Sequence, residues 1–79
     1  SETDENEYYW FQLIGLNVYT TDGGYVGKVV NLIDREPQSL LIVKDREREY
    51  LVPMIDTIIK QINLENSQIV ISPIEGLLD

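Results

Sequence analysis

The string Gly23-Gly24-Tyr25-Val26-Gly27-Lys28-Val29 is the first place in this sequence where residue types and spacing could do chemistry. Glycine amides beside a lysine ammonium are what a phosphate cradle needs, but a nucleotide loop has about four residues between its first Gly and the Gly-Lys pair, and then Ser or Thr. Here three residues intervene and Val29 follows the lysine, so the glycines are assigned to a hairpin turn and a bulge. Carboxylates are the second candidates. Asp22, Asp34, Asp45, Glu49 and Asp56 could in principle pair as the acid and base of a glycoside hydrolase. Nothing in their spacing selects two of them, most fall in turn-like segments, and no Asp-x-Asp-x-Asp-Gly calcium pattern occurs. Histidine and cysteine are both absent, which removes the usual proton shuttle near neutral pH, the common zinc and haem ligands, and thiol chemistry. No catalytic, cofactor-binding or metal-ligating residue is assigned, and an enzyme is not expected.

What the chain does carry is adhesive surface. Tyr8-Tyr9-Trp10-Phe11 puts four aromatics in succession near the start of a 79-residue sequence. On a strand or a helical turn, successive side chains point in several directions, so the rings cannot all enter one core. Core positions are expected for Trp10, Leu13 and Ile14. Tyr8 and Tyr9 are open between core and partner, since tyrosine combines apolar area with a hydroxyl that keeps a hydrogen bond at an interface. The formal net charge is -8, from 14 acidic and 6 basic residues. Glu2, Asp4, Glu5 and Glu7 supply four of the negatives, and the rest still carries -4. Such a surface repels a nucleic-acid backbone and steers a basic protein toward itself.

The elements that must position these residues read as short strands. Length allows one domain at most, no run approaches the roughly 20 apolar residues of a membrane helix, and the acidic start is unlike a signal peptide. A soluble protein in a reducing cytoplasm is expected. Tyr9 to Ile14 predicts a helical turn ending at Gly15, and Leu16 to Thr20 a strand. Asp22-Gly23 predicts a type I′ hairpin into a second strand, Tyr25 to Asp34, whose broken alternation suggests a bulge at or near Gly27. Leu40 to Val43 is an apolar run of strand length, Asp45 to Arg48 a charged turn, and Glu49 to Pro53 its partner strand. Ile58 to Ile62 has helical spacing but β-branched composition, and is read as a strand in a third hairpin with Ile69 to Ile71. Pro73 to Asp79 is expected to form a short helical turn over an open side of a small barrel.

Several of these segments together resemble a known family. Glu7-Tyr8-Tyr9-Trp10, Leu13-Ile14-Gly15-Leu16, Gly24-Tyr25-Val26-Gly27-Lys28-Val29-Val30, Leu51-Val52-Pro53 and the closing Glu75-Gly76-Leu77-Leu78-Asp79 are similar to the C-terminal half of bacterial ribosome maturation factors of the RimM family, a PRC-barrel domain. The resemblance runs from about Glu7 to the last residue. It implies an all-β domain, a six-stranded antiparallel barrel over 7–79 with a helical turn near each end, preceded by an acidic linker remnant, 1–6. It further implies a monomeric, non-enzymatic module without cofactors that assists assembly of the small (30S) ribosomal subunit head and ribosomal RNA processing by binding ribosomal protein S19. Tyr8 and Tyr9 match the aromatic pair implicated in that contact. The alternative is a stand-alone PRC-barrel adaptor that organises another complex. Two departures stand out: the family's N-terminal barrel is missing, and Glu36-Pro37-Gln38-Ser39 lacks the Gly and Asn or Asp often found in that loop.

Overall fold

Among the described residues, runs of β-branched and aromatic residues, each cut off by Gly, Pro, Asn or Asp, fold as six strands and one helical turn. The computed structural model describes residues 9–73 and 76–78. In chain order the elements are α1 (Trp10–Leu13), β1 (Asn17–Thr20), β2 (Tyr25–Ile33), β3 (Leu40–Asp45), β4 (Arg48–Pro53), β5 (Ile59–Asn63) and β6 (Gln68–Ile71). The expected linker, 1–6, lies outside the described residues.

The strands form one sheet in the order β4-β3-β2-β1-β6-β5. Four neighbour pairs are antiparallel, but β1 and β6 run parallel, with Asn17 opposite Gln68 and Thr20 opposite Ile71. The sheet is therefore mixed and open, which corrects the expectation of an all-antiparallel barrel while keeping the all-β class. Hairpins explain the antiparallel pairs, since a short turn can only reverse the chain. The parallel pair arises because the link from β4 to β5 carries the chain from one edge of the sheet to the other. Only residues 54–58 make that link. A segment that short reaches about 20 Å, less than the roughly 24 Å width of six flat strands. The sheet must roll until its edges approach one another.

Rolling encloses one core. Val18, Val26, Val29, Leu41, Val43, Val52, Ile69 and Ile71 point inward from the strands, and Leu13, Leu16 and Ile58 close the ends. Burial alternates along β3 and β6, as period-two geometry requires. β2 departs from alternation because it is bulged twice. Val18 faces Gly27 and Tyr19 faces Tyr25, which leaves Val26 as an extra residue, and Val30 is extra against β3. The first bulge agrees with the expectation near Gly27; the second, at Val30, has no glycine to mark it.

The hairpin at Asp22-Gly23 forms, but not as type I′. Gly23 has φ of 95° while Asp22 stays out of the positive region. The Gly23 amide donates to the Thr20 carbonyl at 2.9 Å, and the Thr20 amide donates to the Gly24 carbonyl at 2.8 Å. That is a three-residue loop with glycine in the left-handed position. Asp22 closes it, accepting from the Thr20 hydroxyl and from the Gly24 amide at 3.4 Å.

Part of the predicted terminal helical turn, residues 74, 75 and 79, lies outside the described residues. The described part is a turn at Gly76 and Leu77 rather than a helix, and Leu77 and Leu78 pack against the core as expected of a cover.

Glycine substitutions should separate backbone strain from collision. A Cβ on Gly27 would lie 2.5 Å from the Lys44 carbonyl oxygen, whereas one on Gly76 meets nothing within 4 Å and suffers only its φ of 89°. Gly76→Ala should cost about 1 kcal/mol. Gly27→Ala should cost about 3 kcal/mol because two strands must separate. Thermal melts measure the difference, and equal losses would mean that β2 and β3 are not in close approach at Gly27.

Candidate protein-docking surface

Helix α1 is one turn long, too short to persist by propensity, so its ends and its single buried contact hold it. At the start, the Tyr9 amide donates to Gln12 Oε1 at 2.8 Å and the Gln12 amide donates to the Tyr9 carbonyl at 2.9 Å. At the end, Gly15 takes φ of 94° and its amide donates to the Val29 carbonyl at 2.7 Å, while the Val29 amide donates to Leu16. Leu13 is the anchor, buried in the core, and Ile14 is half-buried against it. These contacts fix the turn at the bulged middle of β2.

The rest of the turn faces outward. Tyr9, Trp10 and Phe11 are each more than 60% exposed. This corrects the expected core position of Trp10: one turn of helix offers one inward position to a core this small, and Leu13 fills it. Phe11, which sequence reasoning did not place, belongs to the exposed set. Tyr8, the other predicted binding residue, lies outside the described residues. The rings are ordered against one another. Tyr9 and Phe11 stack with centroids 5.6 Å apart and planes 10° from parallel, and Trp10 meets Phe11 at 6.2 Å and 85°. Offset stacking and edge contacts are the favoured aromatic arrangements, so the rings support each other without a core.

A second apolar surface covers the outer face of β2, β3 and β4. Val30, Ile33 and Leu51 are exposed there, and register places Ile42 opposite Leu51 and Leu40 between Ile33 and Pro53. The sequence carried its signal: in Leu40-Leu41-Ile42-Val43 every residue is apolar, yet only Leu41 and Val43 are buried, so the other two have an outer face to cover.

The carboxylates do not converge. Asp22 sits on the β1–β2 turn, Asp34 beyond β2, Asp45 and Glu49 on the β3–β4 hairpin, and Asp56 in the link before β5. Among the described residues no polar or charged side chain is buried, and no three acidic residues are grouped to hold a metal. An open groove of about 650 Å³ lies beside Met54, Ile55 and Ile59, but its polar lining, Asp56, Lys60 and Gln61, is exposed. The Gly23 to Lys28 string is consumed by the turn and the bulge, with Lys28 facing solvent. No helix among the described residues is long and apolar enough to cross a membrane.

Asp22 is held below the usual aspartate range, first by the Thr20 hydroxyl and then by the Gly24 amide. Its lowered value stabilises the turn above the ordinary aspartate pKa, and that contribution fades as pH falls through the folded value. A carbon-detected NMR titration should give Asp22 a midpoint below that of an ordinary aspartate. Thr20→Val should move it upward, and no movement would exclude the hydroxyl as the cause.

Comparison with known proteins places this architecture. The PRC-barrel domain model matches residues 5–78. A Geobacter metallireducens protein named ribosome maturation factor RimM is 41% identical over 76 residues, covering 96% of this chain and 44% of the relative. A Staphylococcus haemolyticus protein of the same name is 42% identical over 78 residues, covering 99% and 46%. The matched region is the C-terminal domain of such proteins, and this chain spans about half their length. A crystal structure of a Pseudomonas aeruginosa protein described as a 16S ribosomal RNA processing protein RimM superposes with a TM-score of 0.79 at 25% identity, covering 85% of this chain and 44% of the other.

Proposed function

We propose, from the premise that this chain belongs to the PRC-barrel family, that it is a non-enzymatic protein-binding domain of a cytoplasmic ribosome maturation factor. In this reading it assists assembly of the small-subunit head and ribosomal RNA processing by binding ribosomal protein S19, with Tyr8 and Tyr9 in the contact. The names of the relatives support the general role. The observation that carries the binding role is the exposed ring cluster. A stacked Tyr9–Phe11 pair with Trp10 at its edge is a costly surface to leave in water, and aromatic anchors of this kind dominate protein interfaces. The net charge of -8 suits a basic ribosomal protein and disfavours RNA contact through this domain.

Titration of the purified chain against purified S19 tests the assignment. Changing both Tyr8 and Tyr9 to Ala should weaken binding about thirtyfold, the consequence of losing roughly 2 kcal/mol from an anchor. Tyr9→Ala alone should melt close to the parent, because Tyr9 is exposed. Full affinity in a normally folded variant would remove the tyrosines from the interface. Association should also slow as salt rises, since exposed charges are screened within about 10 Å at 0.1 M. A rate independent of salt would remove the electrostatic contribution.

A further inference from the structure

Resting on the binding role above, we propose that Tyr9, Trp10 and Phe11 form a subsite for a single cationic side chain, an arginine guanidinium carried by a basic protein segment. Tyr9 and Phe11 are nearly parallel, 10° apart, while Trp10 stands at 85° to Phe11. Stacking covers one face each of Tyr9 and Phe11, but every ring is more than 60% exposed, so the cluster is a corner of two almost perpendicular ring directions with π surface left to solvent. A π face attracts a cation through its negative quadrupole, and a planar guanidinium can stack on one face while its edge reaches another.

The corner has no cation of its own in the helix that builds it. Trp10–Leu13 is Trp-Phe-Gln-Leu, with neither acidic nor basic residues in the turn. A carboxylate in the turn would favour any cation by simple pairing, and with none in Trp10–Leu13 the ring geometry discriminates. The charge that draws a cation in comes from the rest of the chain, at -8 overall. Phe11 has a distinct part in this arrangement, because it is the ring shared by both contacts. It supports the Tyr9 face by stacking and sets the angle to Trp10. Phe11 is thus a positioning residue for Tyr9, and its own exposure means that replacing it should not unfold the domain.

The chain contains one tryptophan, Trp10, so its fluorescence reports on the corner directly. The test titrates the chain with short peptides of alternating glycine and arginine, and with counterparts in which arginine is replaced by lysine, citrulline or norleucine. Emission and the ring-proton NMR signals of all three aromatics are followed. The arginine peptide should perturb the rings and bind about two- to fivefold more tightly than the citrulline peptide, the size expected of a cation over exposed rings, and more tightly than the lysine peptide because only a planar guanidinium stacks. Citrulline, which keeps the shape without the charge, should bind more weakly than either. Phe11→Leu should remove the preference for arginine over lysine while leaving the attraction that both share from the acidic surface. A norleucine peptide that binds the rings better than the arginine peptide would overturn the proposal in favour of an apolar anchor, and perturbations confined to acidic residues would overturn it in favour of diffuse attraction. The two readings fail separately. If Tyr9→Ala weakens S19 binding but no arginine peptide touches the rings, the cation subsite is wrong and the protein-binding role stands. If arginine peptides seat on the rings while S19 binds the Tyr9→Ala variant normally, the subsite stands and the assignment of Tyr9 to the S19 contact falls.

Discussion

The close contact between Gly27 and the Lys44 carbonyl lets β2 bend, and the bend governs the rest of the molecule. β2 is the longest strand and pairs with β1 on one side and β3 on the other. A straight strand of that length would hold its neighbours in a shallow sheet, leaving the core residues of β4 and β6 far apart. Bulges at Val26 and Val30 shift the register and increase the local twist. A side chain at Gly27 would push β3 away at the first of them. The bent strand thus allows the curl that the five-residue link 54–58 demands, and one apolar cluster can then draw on α1 and on strands across the sheet.

The same bend positions the exposed aromatics. Gly15 and Leu16 bond to Val29, between the two bulges, so the end of α1 is tied to the bulged part of β2. With Leu13 buried, the preceding residues have nowhere to go but outward. Stacking then organises what burial does not, which is how a one-turn helix keeps three large rings in defined relation. Burial holds one side of the turn, and the rings on the other are left to solvent.

The described carboxylates are spread over the surface. Enzymes tune acids and bases by burying them or bringing like charges together, and here the described carboxylates are unburied and apart. Asp22 is perturbed, but by two local hydrogen bonds within a turn whose closure they explain. Charge and aromatic area then act on different quantities. In the proposed binding role, the acidic field would govern how quickly a basic partner arrives, and desolvated rings how long it stays.

The sequence by itself determined what depends on near neighbours. Strand runs, the hairpin at Asp22-Gly23, the turn ended by Gly15 and the bulge near Gly27 were legible because glycine, β-branching and period-two patterning act over a few residues. The aromatic cluster was legible as an excess that no small core could absorb. The tertiary structure decided everything that depends on distant partners. It placed β6 beside β1 in parallel, because a strand's neighbour across the sheet is chosen by how the whole chain rolls, and no turn signal encodes it. It assigned the single inward position of α1 to Leu13 instead of Trp10, since only the space left by the strands determines which side chain fits. It turned Leu40 and Ile42 outward, a fact hidden in a run whose residues are all apolar.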